Sequence, residues 1–410
     1  MILKQKAQGI FFKVAFFFTF VISKSSFAQV PDSTATDSVL LKQIEQQMNQ
    51  TPATPQPRST ISVNPDIGVI GDFQGSYISK GDKNFDMYLN ETELSLQAVV
   101  DPYIRADFFL SFGRDPETNK YGVEVEEGYL TTLSLPARLQ LKAGKFREAV
   151  GRINTIHPHA LPFIDLPNAY INYFGPEGLN DEGISLSWLV PNKAFYQELV
   201  FQTTAGYTDA PSFSRSEGNH LIYLGHLKNF FTLNDNTTLE LGITGISGPN
   251  DSSHITNIAA ADLTYKWKPV QMNTYKSVTW QSEFFYSNAN YTQNSMNTFG
   301  LYSYLEYQLA KRWFLTGRYD YAQKPYDKNI VEQAYSLTAG WDATEFSKIE
   351  LEAKTTDDNI ESRFYQAWLR WMFGTAYNQD LGRNADPILG GVGADRFDDF
   401  PFQRRLLRFR

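Results

Sequence analysis

The stretch of this chain best equipped for chemistry holds two histidines among a scatter of opposite charges. His157 and His159 are the one close pair among five histidines. In an extended backbone, residues two apart point to the same side. Both imidazoles can therefore face one ion, and Pro158 between them restrains the geometry. Asp165, Asp181 and Glu182 lie near enough in sequence to add oxygen donors, giving a mixed N/O set of the kind that holds zinc. The competing reading of the same pair is a loop packed by hydrogen-bonded histidines. The flanks carry charge of both signs. Lys145, Arg147 and Arg152 lead into the stretch, and Asp181 and Glu182 close it. Bases facing acids across a narrow passage set up a transverse field that orders water and filters dipolar solutes.

Covalent catalysis finds no support in the sequence. His220, His226 and His254 have no nucleophile signature beside them, and a hydrolase needs a Ser, Thr or Cys with a placed base. No Gly-rich phosphate loop and no HExxH is present. We therefore expect no enzyme and no cofactor. The chain has no cysteine, which rules out a lipid anchor on a terminal Cys, disulfides and thiolate metal sites. The net charge of −8 argues against nucleic-acid partners.

The elements that would position these residues read as β-strands. Arg138–Ala143 and Gly183–Leu189 alternate polar and apolar residues, which gives each strand one greasy face and one polar face. About sixteen such segments run from Asp66 to Phe373, near 67–79, 85–99, 103–113, 123–134, 138–147, 182–190, 196–208, 219–229, 237–247, 256–267, 276–288, 297–308, 312–321, 331–341, 346–355 and 361–373. Each is long enough to cross a bilayer at a tilt, at about 9–11 residues. Short turns alternate with longer polar loops, of which 148–181 is the longest. That pattern predicts an all-β fold: a transmembrane antiparallel up-and-down barrel, short turns periplasmic and long loops extracellular. Aromatic content of 15% with a mean hydropathy of −0.37 fits such a barrel, which needs one apolar face per strand and aromatic girdles.

Alternation also sorts lumen from lipid, because a charge on the lipid face near the midplane costs about 2–4 kcal/mol. It predicts a pore lined by Glu91, Glu93, Arg105, Asp107, Lys142, Glu240, Asp262, Lys266, Arg318, Asp320, Lys348, Glu350, Glu352, Lys354 and Arg370, standing as a solvated wall. Acids slightly outnumber bases on these faces once Glu283 and Glu306 are added, which predicts weak cation preference. Loop 148–181, stiffened by Pro158, Pro162, Pro167 and Pro176, is expected to fold inward. Its constriction would be built from Lys145, Arg147, Arg152, Asp165, Asp181 and Glu182.

The ends are separate. Residues 1–28 have basic residues, then the apolar run Val14–Ile22, then Ser25-Ser26-Phe27-Ala28, the layout of a cleaved secretory signal. Its removal takes four Lys and no acid, bringing the net charge to −12. Residues 29–60 read as a periplasmic leader with a short helix near 38–48 and a Pro-rich linker. The barrel is expected over 61–374, with a periplasmic tail at 375–410.

Five segments carry a family resemblance. They are Asn64–Phe73, Glu126-Glu127-Gly128-Tyr129-Leu130, Leu141–Arg147, His157–Pro162 and Glu177–Gly183. With them the chain resembles Gram-negative porin-like outer-membrane proteins, similar in layout to the phosphate-selective porins O and P. Some of that group are labelled zinc-regulated outer-membrane receptors. The resemblance implies a pore in the cell outer membrane passing small hydrophilic solutes or ions. Its partners would be outer-membrane lipid and the barrel-assembly machinery, with a homotrimer as the candidate assembly. A phosphate filter would want a ladder of bases, whereas the lumen faces here are mixed to acidic. Divalent-metal uptake through His157 and His159, and a non-conducting barrel serving as anchor or adhesin, are the alternatives. A gated receptor of about 22 strands with a plug does not fit the length.

Overall fold

The computed structural model describes residues 65–80, 84–114, 118, 120–215, 220–251, 254–292, 294–359 and 363–374. The expected signal segment, the expected leader with a helix near 38–48 and the expected tail at 375–410 lie outside the described residues.

The strands are β1 (Asp66–Ile78), β2 (Phe85–Asp101), β3 (Ile104–Arg114), β4 (Tyr121–Thr132), β5 (Leu139–Arg147), β6 (Asn180–Leu189), β7 (Tyr196–Thr204) and β8 (Ile222–Asn234). They continue as β9 (Thr237–Pro249), β10 (Ile255–Trp267), β11 (Val278–Asn290), β12 (Ser295–Ala310), β13 (Trp313–Lys324), β14 (Asp327–Thr344), β15 (Ser347–Asp358) and β16 (Phe364–Gly374). Each pairs antiparallel with its neighbours in sequence, and β1 pairs with β16 from Ile70↔Gly374 to Ile78↔Gln366. The ring is closed at sixteen strands, so no edge is left with unpaired backbone groups. In lipid, where no water can satisfy such groups, closure is the condition for spanning with strands.

Side chains alternate as the sequence predicts. Along β15, Lys348, Glu350, Glu352 and Lys354 are buried inward, while Leu351 and Ala353 face out. Ile184, Leu186 and Trp188 of β6 and Ile243 of β9 are exposed on the outside. So are Trp313 and Trp341, which stack at 5.7 Å. This outer surface is apolar and studded with aromatics, as a bilayer requires. The molecule is an outer-membrane β-barrel.

Three details depart from the sequence expectation. Strand β7 ends at Thr204 rather than near 208, because Gly206 adopts φ 77° and the Asp181 carboxylate accepts the N–H groups of Gly206 and Tyr207. The expected loop 322–330 shrinks to Pro325-Tyr326, since the β13–β14 ladder runs on to Lys324↔Asp327. Glu126 is a bulge: Phe109 pairs with Glu127 and Leu110 with Val125, which leaves Glu126 as the extra residue. A bulge breaks the period of two. As a result Glu126 and Glu127, although adjacent, are both buried toward the lumen.

Candidate functional site

The connection from β5 to β6 turns into the lumen. It is not structureless: it contains one-turn 3-10 segments at Ile153–Thr155 and Pro158–Ala160, and the helix α1 (Asn168–Phe174). Proline starts two of these pieces, with Pro158 opening its turn and Pro167 standing as the N-cap of α1. Val150, Ile153, Leu161, Phe163, Tyr170, Tyr173, Phe174 and Leu179 form one apolar cluster with Leu224, Ile246, Ile258, Phe285, Tyr302 and Tyr304 from the barrel wall.

Polar contacts pin the loop around the wall. At its start, the N–H groups of Arg152 and Ile153 donate to Glu283 Oε1 at 3.0 and 3.1 Å, and the Tyr170 hydroxyl donates to Glu283 Oε2 at 2.6 Å. This close seat needs Gly151 at φ 53°: a Cβ there would lie 2.0 Å from Glu283 Oε2. The Arg152 guanidinium pairs with Glu240, which Lys228 also approaches at 3.6 Å. Glu148 is buried and accepts from Thr204 Oγ1 at 2.9 Å; burial, with Asp181 nearby, pushes its carboxyl up to about 8.

Mid-loop, Asp165 closes an ionic clasp. Its carboxylate accepts from Arg318 Nη2 at 2.8 Å and Lys354 Nζ at 2.6 Å, and its carbonyl accepts from Arg318 Nη1 at 2.8 Å. Burial opposes the charge on Asp165, but Arg318 and Lys354 outweigh it and hold the carboxyl well below the usual carboxylate range. Arg318 also donates to Asp320 and lies over the Phe163 ring at 4.4 Å. The Ile164 N–H donates to Glu352 at 2.5 Å. Arg370 bonds Glu350 and donates to the carbonyl of Phe163 at 3.3 Å. On α1, Asn172 accepts from Lys324 and donates to Glu332.

The histidine end meets the opposite arc of the wall. His157 Nδ1 lies 3.1 Å from Glu93 Oε2 and 3.6 Å from Glu126 Oε1, and its Nε2 lies 3.0 Å from Glu127 Oε1. His159 Nδ1 lies 3.6 Å from Glu93 Oε2. Burial alone would lower the His157 pKa, but Glu93, Glu126 and Glu127 hold it well above its ordinary value. Arg147 pairs with Glu126 and donates to the Glu177 carbonyl.

The structure thus redistributes the expected site. Arg147, Arg152 and Asp165 meet the lumen wall. Lys145 instead reaches Glu124 at 3.1 Å and the Val125 carbonyl. Glu182 is exposed in the outward phase of Ile184 and Leu186. Asp181 is spent on backbone N–H groups. The acids beside the two histidines are therefore Glu93, Glu126 and Glu127, not Asp165, Asp181 or Glu182. The expected pore-lining residues sit in the inward phase of their strands. However, Arg318, Asp320, Lys348, Glu350, Glu352, Lys354 and Arg370 are sealed beneath the loop rather than forming a solvated wall: the loop bonds Arg318, Glu352, Lys354 and Arg370, and Asp320, Lys348 and Glu350 pair with neighbours on the wall. Sequence reasoning missed Glu126 and Glu127 as site residues. Two adjacent acids inside an alternating strand were the available sign of a bulge.

A closed sixteen-strand barrel with a folded loop inside its lumen is the architecture of outer-membrane porins. Comparison with solved structures gives the same fold at very low identity. The outer-membrane channel DcaP of Acinetobacter baumannii is 9% identical with a TM-score of 0.54, covering 77% of this chain and 98% of that one. An anion-selective porin from Comamonas acidovorans is 8% identical with a TM-score of 0.53, covering 76% and 99%. A trimer form of OmpT, an outer-membrane protein of Vibrio cholerae, is 9% identical with a TM-score of 0.53, covering 76% and 99%. Among curated sequences, an uncharacterized protein of Aquifex aeolicus (strain VF5) is 30% identical over 303 residues. That match takes in 64% of this chain and 62% of the relative, so the chain spans less than two thirds of the relative's length. No family model matches.

Proposed function

We propose that this barrel is an outer-membrane channel for passive diffusion of small hydrophilic solutes or ions, narrowed by the loop between β5 and β6. The observation that carries the reading is the inward loop, fixed to the wall from Glu93 on β2 round to Arg318 on β13 and Arg370 on β16. A segment held at so many points keeps a fixed shape, and a fixed shape sets a size limit. Charges under the loop are mutually neutralised, as in Arg318 with Asp165 and Asp320, so few remain to form a selective ring. We read the pore as weakly selective, with a slight cation preference from the excess of lumen acids. The chain works as a homotrimer in this reading, which the trimer form of the Vibrio cholerae protein supports. It is exported by the signal at 1–28, with the 375–410 tail in the periplasm.

The test is single-channel recording of the full chain in planar bilayers, beside a variant lacking 155–172. Deletion should raise conductance and admit larger sugars while the protein still shifts mobility on boiling in SDS. Unchanged conductance would place the loop outside the permeation path. No conductance from either protein would favour an anchor or adhesin.

A further inference from the structure

We propose that Glu93, His157, His159 and Glu126 form a divalent-cation site that ties the lumenal loop to the β2–β4 wall. The inference stands on the local geometry and holds whether or not the barrel conducts.

The donor set comes first. Donor atoms of Glu93, His157 and His159 lie within 4.8 Å of one another, and so do those of Glu91, Glu93 and Glu126. Zinc bonds of about 2.0–2.1 Å at tetrahedral angles put neighbouring donor atoms roughly 3.3–3.4 Å apart. Around Glu93 Oε2 and His157 Nδ1 the observed separations are 3.1, 3.6 and 3.6 Å, to His157, His159 and Glu126. These three separations bracket a tetrahedral edge.

The second observation is independent of the distances. Glu93 has 2% of its side chain exposed, yet its Oε2 accepts no hydrogen bond. Glu126 Oε2 is likewise buried without one, and His157 Nδ1 makes none although Glu93 is beside it. Buried polar atoms are ordinarily satisfied, and leaving one unsatisfied costs about 1–3 kcal/mol. Glu93 Oε2 and His157 Nδ1, 3.1 Å apart and each without a hydrogen bond, match two donors to a coordinated ion.

The surroundings fit as well. Glu127 Oε1 sits 3.0 Å from His157 Nε2, on the ring edge away from Glu93. This is the carboxylate–histidine–metal arrangement, in which the outer carboxylate fixes the tautomer and turns Nδ1 to the ion. Glu91, Glu93, Glu126 and Glu127 place four carboxylates here, and Arg147 pairs with Glu126. A divalent cation offsets the remaining negative charge. The imidazolium proton of His157 leaves to the buffer when the ion binds. The 3-10 turn at Pro158–Ala160 holds the two rings 5.5 Å apart, so the histidine pair is preset. Because the carboxylates belong to strands and the imidazoles to the loop, binding energy becomes loop-docking energy.

Zinc is the probe. Isothermal titration of the full chain in detergent with zinc chloride should give one saturable site per chain. His157→Ala/His159→Ala and Glu93→Gln should each abolish it, and Glu127→Gln should weaken it by about 10–100-fold. His226→Ala, on β8 and bonded to Thr244, should leave it unchanged. At 100 times the dissociation constant, zinc should slow tryptic cleavage after Arg152 roughly 100-fold in the native chain and not in the double variant. Heat-modifiable mobility in SDS confirms that each variant is folded. Absence of a one-to-one site in the native chain, or native zinc binding in the folded double variant, overturns the proposal. A chain that binds zinc but passes no current sinks only the channel reading.

Discussion

The clasp around Arg318 makes an asymmetric prediction. Three carboxylates, Asp165, Asp320 and Glu352, face two cations, Arg318 and Lys354. Replacing Asp165 with Asn leaves Arg318 its bond to Asp320 and Lys354 its bond to the Asn168 amide oxygen, and the new amide oxygen can accept one bond. The loss is then close to one charged hydrogen bond, about 1.5–3 kcal/mol. Replacing Arg318 with Met strands the buried acids beside a single lysine, which costs about 3–5 kcal/mol. It also removes the bond to the Asp165 carbonyl. The sequence provides the reporter: Arg152 is the only Lys or Arg between 148 and 181. It is buried against Glu240, so trypsin cuts there only when the loop swings free. When opening is fast relative to cleavage, the rate follows the open population. At 1.4 kcal/mol per tenfold, Asp165→Asn should speed cleavage after Arg152 by roughly 10- to 150-fold, and Arg318→Met by roughly 150- to several thousandfold. The fragment ending at Arg152 is followed by mass, on protein that still shifts on boiling. Equal effects, a larger effect from Asp165→Asn, or a change under about threefold in both would refute the clasp.

Two further predictions follow from the loop's first turn. Glu148, pushed up to about 8 from an ordinary value of 4.5, holds a proton in the docked state that it loses when freed. Its stabilising contribution is therefore full below about pH 4.5, declines as pH rises and is gone above about 8. The melting temperature in detergent should fall across that window, and Glu148→Gln should flatten the fall; a native chain with no such slope contradicts the assignment. Gly151→Ala puts a methyl against Glu283 at a positive φ, which should cost about 1–3 kcal/mol and raise cleavage after Arg152 by roughly 5- to 150-fold. Wild-type cleavage would mean the backbone does not seat on Glu283.

What the sequence determined by itself was the barrel and its two faces. Period-two alternation in segments such as Ser347–Asp358 is a local property, so Lys348, Glu350, Glu352 and Lys354 could be sent inward without knowing their neighbours. The inward loop was also legible, from its length and its prolines. The partners were not. Asp165 meets Arg318 across 153 positions and Lys354 across 189, distances bridged only because the ring closes and brings β13 and β15 to the loop. Sequence proximity suggested Asp181 and Glu182 as companions of the histidines. The turn at Gly206 claimed the first, and strand phase sent the second outward. Glu126 joined the histidines through one extra residue in β4, because a bulge overrides the alternation on which the sequence argument rests. Whether an inward charge meets water or a buried partner depends on where a thirty-residue loop comes to rest, and tertiary contacts alone decide that.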